Sequence, residues 1–72
     1  MNVMINGASR VLANKGHWTI SEVLTWLELK KEGRIVELNN HIIQKGNYDS
    51  TEISEDDHIE IIQFMGGGDK IT

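Results

Sequence analysis

The sequence predicts an α+β domain: a mixed sheet of four to five strands with one main helix packed across it. Three observations carry that expectation. Seventy-two residues with 39% apolar content and no cysteine allow one small hydrophobic core and no disulfide or thiolate support. A single stretch, "TISEVLTWLEL", has helical periodicity, whereas the segments on either side read as strands. The last apolar run, "HIEIIQFM", suits a central strand beside the first, reached by a crossover through the helix.

The elements follow in order. "MNVMI" alternates Met1, Val3 and Ile5 against Asn2 and Met4, as a half-buried strand does. Asn6-Gly7 is the dipeptide best suited to a two-residue hairpin turn, since both residues tolerate positive φ. "ASRVLA" returns as the second strand, and "NKG" breaks it. Thr19 and Glu22 then form a capping box, with Trp18 stapling onto Val23. Ile20, Val23, Leu24 and Leu27 make the apolar stripe, so Leu27 is expected in the core. Lys30 and Lys31 are expected in the last helical turn, with Gly33 as the stop. "RIVEL" is a third strand turning at Asn39-Asn40 into a short fourth, "HIIQ". The connector "KGNYDSTEI" offers Tyr48 and Ile53 as plugs for the open end of the core, and "SEDD" is a solvated turn before the last strand.

No chemistry is expected in the body of the domain. His17, His41 and His58 lack the spacing of metal ligands, and Glu55, Asp56 and Asp57 lack that of a calcium loop. Ser9, Ser21, Ser50 and Ser54 have no evident base, so no catalytic residue is assigned. The net charge of −4 repels phosphate backbones and disfavours nucleic acid, whereas it suits a protein partner with a basic docking surface. No apolar stretch reaches the length of a membrane span, and no signal-peptide layout opens the chain, so a cytoplasmic protein without membrane partners is expected.

Gly66, Gly67 and Gly68 are the remaining feature, followed by Asp69, Lys70, Ile71 and Thr72. No helix can form in four residues, so the glycines are not a phosphate loop. The expected division is a folded domain over residues 1–65 and a flexible glycine-rich tail over residues 66–72. A naked glycine terminus can thread a narrow channel and deliver its carboxylate to another protein's active site. Just upstream, Ile62, Phe64 and Met65 are expected to form a partner surface, because Ile62 and Phe64 face away from the helix if Ile59 and Ile61 face it.

Taken together, "TISEVLTWLEL", "VELNNHII", "ISEDDHIEIIQF" and the closing "MGGG" resemble the ThiS family of sulfur carriers in thiamine biosynthesis. The resemblance covers residues 1–68 and implies the ubiquitin-like β-grasp fold. It also implies that the protein is no enzyme and binds no cofactor of its own. The activating enzyme, of the ubiquitin-activating type, would use ATP to adenylate Gly68. Gly68 would then become a thiocarboxylate and donate its sulfur to thiazole synthase, with Gly66 and Gly67 as the flexible lead. An internal glycine carries a peptide bond instead of a carboxylate, so this chemistry requires that residues 69–72 be absent. Proteolytic trimming, an appended tail and loss of the carrier role are the three accounts of that segment. The small subunit of molybdopterin synthase, a protein modifier and a β-grasp interaction module without terminal chemistry remain as alternatives.

Overall fold

The computed structural model describes residues 1–63; Phe64, Met65, Gly66, Gly67, Gly68 and residues 69–72 lie outside the described part. β1 (Asn2–Ile5) and β2 (Ala8–Val11) form the expected antiparallel hairpin, with φ of 50° at Asn6 and 80° at Gly7. Both central residues at positive φ give the turn whose twist matches the paired strands. β3 (Trp18–Thr19) precedes α1 (Ile20–Trp26), and β4 (Arg34–Leu38) and β5 (His41–Ile43) make a second hairpin through Asn39 and Asn40, again both at positive φ. A short 3₁₀ turn (Lys45–Asn47), β6 (Glu52–Ile53) and β7 (His58–Gln63) complete the described chain.

The five-stranded sheet has the order β2-β1-β7-β4-β5. The last strand therefore lies at the centre, parallel to β1 and antiparallel to β4, as the sequence predicts. With α1 across one face this is the β-grasp arrangement. The core between sheet and helix comprises Val3, Ile5, Leu12, Trp18, Ile20, Val23, Leu24, Val36, Tyr48, Ile53 and Ile59, all buried. Tyr48 and Ile53 close its end as expected. Burial raises the Tyr48 phenol pKa above the ordinary tyrosine range, partly offset by a backbone hydrogen bond at Val36.

The capping box forms as read. The Glu22 amide donates to Thr19 Oγ1 at 3.2 Å, and the Thr19 amide donates to Glu22 Oε1 at 2.9 Å. Two further amides at the start of α1, of Ile20 and Ser21, donate to the carbonyls of Thr51 and Tyr48. The Ser21 hydroxyl also donates to Asp49. The connector before β6 thus satisfies the helix start that a longer preceding helix or water would otherwise serve. It also pairs through β6 with β3 as a second, two-stranded sheet. That small sheet has no sequence signal, because two residues hold no periodicity.

The helix is shorter than expected. Its C-cap is Leu27, and Glu28 takes φ 61°; the Glu28 amide donates to Thr25 O and the Leu29 amide to Leu24 O. This is a Schellman closure with glutamate in the left-handed position usually held by glycine. Leu24, buried, and Leu29, half-buried against the core, supply its apolar contact. Lys30 and Lys31 consequently lie beyond the last turn, and Gly33, at φ 75°, serves the turn into β4 instead of stopping α1. Leu27 is only half-buried, so Leu24 is the principal core leucine of the helix.

Two outcomes test these packing statements. Leu24→Ala should lower unfolding free energy by about 2–5 kcal/mol in urea titrations, and Leu27→Ala by clearly less. The second concerns Glu22, whose pKa is lowered, first by its hydrogen bond with the Thr19 backbone and then by Lys15, 3.0 Å away. A depressed folded-state pKa contributes stability above the unfolded value and loses it as pH falls through the folded one. Thermal midpoints of wild type and Glu22→Gln should therefore differ at neutral pH and converge on acidification below the ordinary glutamate range.

Candidate functional site

The sheet face opposite α1 is the surface that residues leading to the glycines can share. Strand alternation assigns it residue by residue. Ile59 is 1% exposed and Val36 0%, so Glu60 and Ile62 on β7, with Ile35 and Glu37 on β4, turn away from the core. Ile62 is 45% exposed, as the sequence reading requires; Ile61 packs against the core from the other face. The other two members of the expected partner surface, Phe64 and Met65, lie outside the described residues, as do Gly66, Gly67 and Gly68.

Cross-strand pairing arranges this face in rows. Ile35 lies opposite Ile62, and two residues along, Glu37 lies opposite Glu60. Ile42 of β5, 66% exposed, faces Glu37 from its other side, and Met4 of β1 flanks His58. Exposed Ile62 and half-buried Ile35 form a small apolar pair on adjacent strands, with Glu37 and Glu60 beside it and exposed Ile42 beyond Glu37 on β5.

Two local devices hold β7 in place. The parallel ladder with β1 ends with the Asn6 amide donating to Ile59 O at 2.9 Å. Beyond it the Asn6 side chain continues the pairing: its Oδ1 accepts from the Ile61 amide at 2.7 Å, and its Nδ2 donates to Ile61 O at 3.3 Å. The turn residue thus stands in for one more strand residue. At the other end, Asp57 accepts from the Ser54 amide at 2.7 Å and from Asn39 Nδ2 at 3.0 Å, while Asn39 Oδ1 accepts from the His58 amide at 2.9 Å. Glu55 accepts from the Asn2 amide and side chain. The acidic turn is thus exposed but also structural, because its carboxylates cap amides from both hairpins. Among the described residues no group of three or more potential metal ligands comes together, and His17, His41 and His58 are exposed. No helix among them is long and apolar enough to cross a membrane.

With this topology and open face established, comparison with known proteins identifies the family. A family model described as ThiS matches residues 3–68, a stretch that closes on the third glycine. The chain belongs to the ThiS family. It is 38% identical over 66 residues to the sulfur carrier protein ThiS of Bacillus subtilis, covering 92% of this chain and 98% of that protein. A thiazole synthase of Magnetococcus marinus is 36% identical over 50 residues, which are 69% of this chain and 15% of that enzyme. The crystal structure of the thiamine biosynthesis protein ThiS from Geobacter metallireducens superposes with a TM-score of 0.83 at 30% identity, covering 94% of this chain and all of that one. The ubiquitin-like fold expected for a ThiS chain is therefore established at the level of family and topology alike.

The Asn6 clamp missed by sequence reading is directly testable. Asn6→Ala removes it and also places alanine at positive φ, so a loss of about 1–2 kcal/mol is expected. Asn6→Gly relieves the backbone penalty and should cost less. Both variants should speed hydrogen exchange at the Ile61 amide, and an unchanged rate in Asn6→Gly would show the clamp to be idle.

Proposed function

We propose that this chain is a sulfur carrier of thiamine biosynthesis, acting through Gly68 as a carboxyl terminus. The observation that carries the reading is the pairing of the ThiS fold over the described residues with a family match that runs through the glycines to Gly68. The Geobacter protein is named for thiamine biosynthesis and the Magnetococcus relative for thiazole synthesis, which supports this pathway over the molybdopterin one. The protein is then a cosubstrate, and the reacting group is its own terminus.

The chemistry follows from that role. A Gly68 carboxylate oxygen attacks the α-phosphorus of ATP in the activating enzyme, and pyrophosphate leaves. A sulfide-level nucleophile then adds to the acyl carbon and displaces AMP, leaving a thiocarboxylate. Thiazole synthase receives that sulfur. The resemblance between this chain and a segment of a thiazole synthase supports that assignment, since in the Magnetococcus enzyme a like segment belongs to the same polypeptide. Both steps occur in other proteins' pockets, in the cytoplasm. The chain's part is to present Gly66, Gly67 and Gly68 as a thin, extended lead. Ordering each of these residues costs on the order of 1–2 kcal/mol, which contacts of the folded part must offset. Ile62 is the exposed apolar side chain nearest the glycines among the described residues, and Phe64 and Met65, which follow it in sequence, are assigned to the same contact. Residues 69–72 must be removed before the first step, because Gly68 otherwise ends in an amide.

Two measurements test this reading. A chain ending at Gly68 should support ATP–pyrophosphate exchange with the cognate activating enzyme and then gain the mass of one sulfur in place of one oxygen. The chain ending at Thr72 should do neither. Ile62→Asp should leave the fold intact, since the side chain is exposed, and raise the KM for the carrier. Retention of Thr72 in protein isolated from its own cells would overturn the carrier assignment.

A further inference from the structure

Glu37 and Glu60 pair directly across β4 and β7 on the open face. Like charges in directly opposed positions are unfavourable in an antiparallel pair. Among the described residues, Lys15–Glu22 is the one ion pair within 4.0 Å, so neither carboxylate has a described cationic partner. The pair lies inside the sheet, because β2 and β5 are its edges. Charges that guard against unwanted strand pairing belong on edge strands, which leaves this interior pair without that explanation.

Its surroundings point to a docked cation. Ile42 adjoins Glu37 on one side, and the Ile35–Ile62 pair lies two residues further along the same strands. Ile42 and Ile62 are exposed. A second copy of the chain is a poor occupant, because face-to-face stacking would bring two such carboxylate pairs together in a protein already at −4. A partner carrying one cationic side chain amid apolar ones meets every feature of the surface. The cation relieves the repulsion, accepts two carboxylates at once, and directs apolar contacts onto the isoleucines.

We infer that Glu37 and Glu60 form an acidic seat for one arginine or lysine of a protein partner, flanked by Ile42 on one side and by the Ile35–Ile62 pair on another. The inference rests on the sulfur-carrier reading, which supplies the partner: the enzyme that adenylates the terminus. The seat acts in recognition only. It touches no reacting atom, so it affects capture of the carrier and not the chemical step.

The test compares a chain ending at Gly68 with its Glu37→Gln/Glu60→Gln variant in ATP–pyrophosphate exchange, at about 0.05 M and about 0.3 M salt. The variant should raise the KM for the carrier about 3–10-fold at low salt and leave kcat unchanged. Salt should raise the wild-type KM and have little effect on that of the variant. The variant should also unfold at a higher urea concentration than wild type, because the repulsion is gone. A KM equal to wild type at both salt concentrations would overturn the seat while leaving the carrier reading intact. So would a variant that becomes a dimer in gel filtration, since the carboxylates would then serve to keep copies apart. Absence of exchange with the unaltered truncated chain would instead remove the carrier reading, and the seat's partner with it.

Discussion

The parallel pairing of β1 with β7 is the constraint on which the rest depends. A hairpin alone cannot bring the first and last strands side by side in parallel; a crossover must, and here the segment containing α1 provides it. Once β7 is central it is paired on both edges, with β1 and β4. Ile59 is then fixed toward the helix and Ile62 toward solvent. The same pairing makes the strand that precedes the glycines one of the best-supported in the molecule. Asn6 extends the support to Ile61, beyond the last backbone bond that β1 can make.

Small size makes polar side chains carry much of the specification. A core of this extent supports a domain only marginally, so the loops are held by caps as much as by burial. Thr19 and Glu22 fasten the helix start, Asp49 reaches Ser21, and Asp57 and Glu55 bind amides of two other segments. Glu22, Asp49, Glu55 and Asp57 thus have internal partners. Glu37 and Glu60 differ from the other carboxylates in facing one another directly across two strands.

Much of this was legible in the sequence wherever a signal was local and chemical. Asn6-Gly7 and Asn39-Asn40 mark their turns because few other residues accept positive φ, and the structure places all four there. The capping box was equally plain, since its two residues sit at a fixed spacing. The end of α1 was not, because the residue in the left-handed position is Glu28, and no composition rule nominates glutamate for it. Gly33 drew the expected stop too far along for the same reason. The β3–β6 pair was hidden by its length. Of the site, the outward turn of Ile62 followed from period-two alternation, whereas the Glu37–Glu60 pairing needs the register of two strands far apart in sequence. The Asn6 clamp needs the parallel neighbour as well.

A carrier must be released as readily as it is captured, and the open face suits that demand. A large apolar surface would give tight binding and slow departure, because affinity differences among related complexes lie mostly in dissociation. Among the described residues of this face the exposed apolar groups are few, and carboxylates interrupt them. Exposed charge contributes more to the rate and direction of encounter than to final affinity. An acidic body is therefore suited to quick encounter with a basic surface and to a loose hold on it. Under the proposed function glycines suit the same demand, since they have no side chains by which a pocket could anchor them. Retention can then depend on whether the terminus fits the site in its current chemical form. On this view the folded domain needs no catalytic group, since its task is to bring one atom to successive partners and let each go.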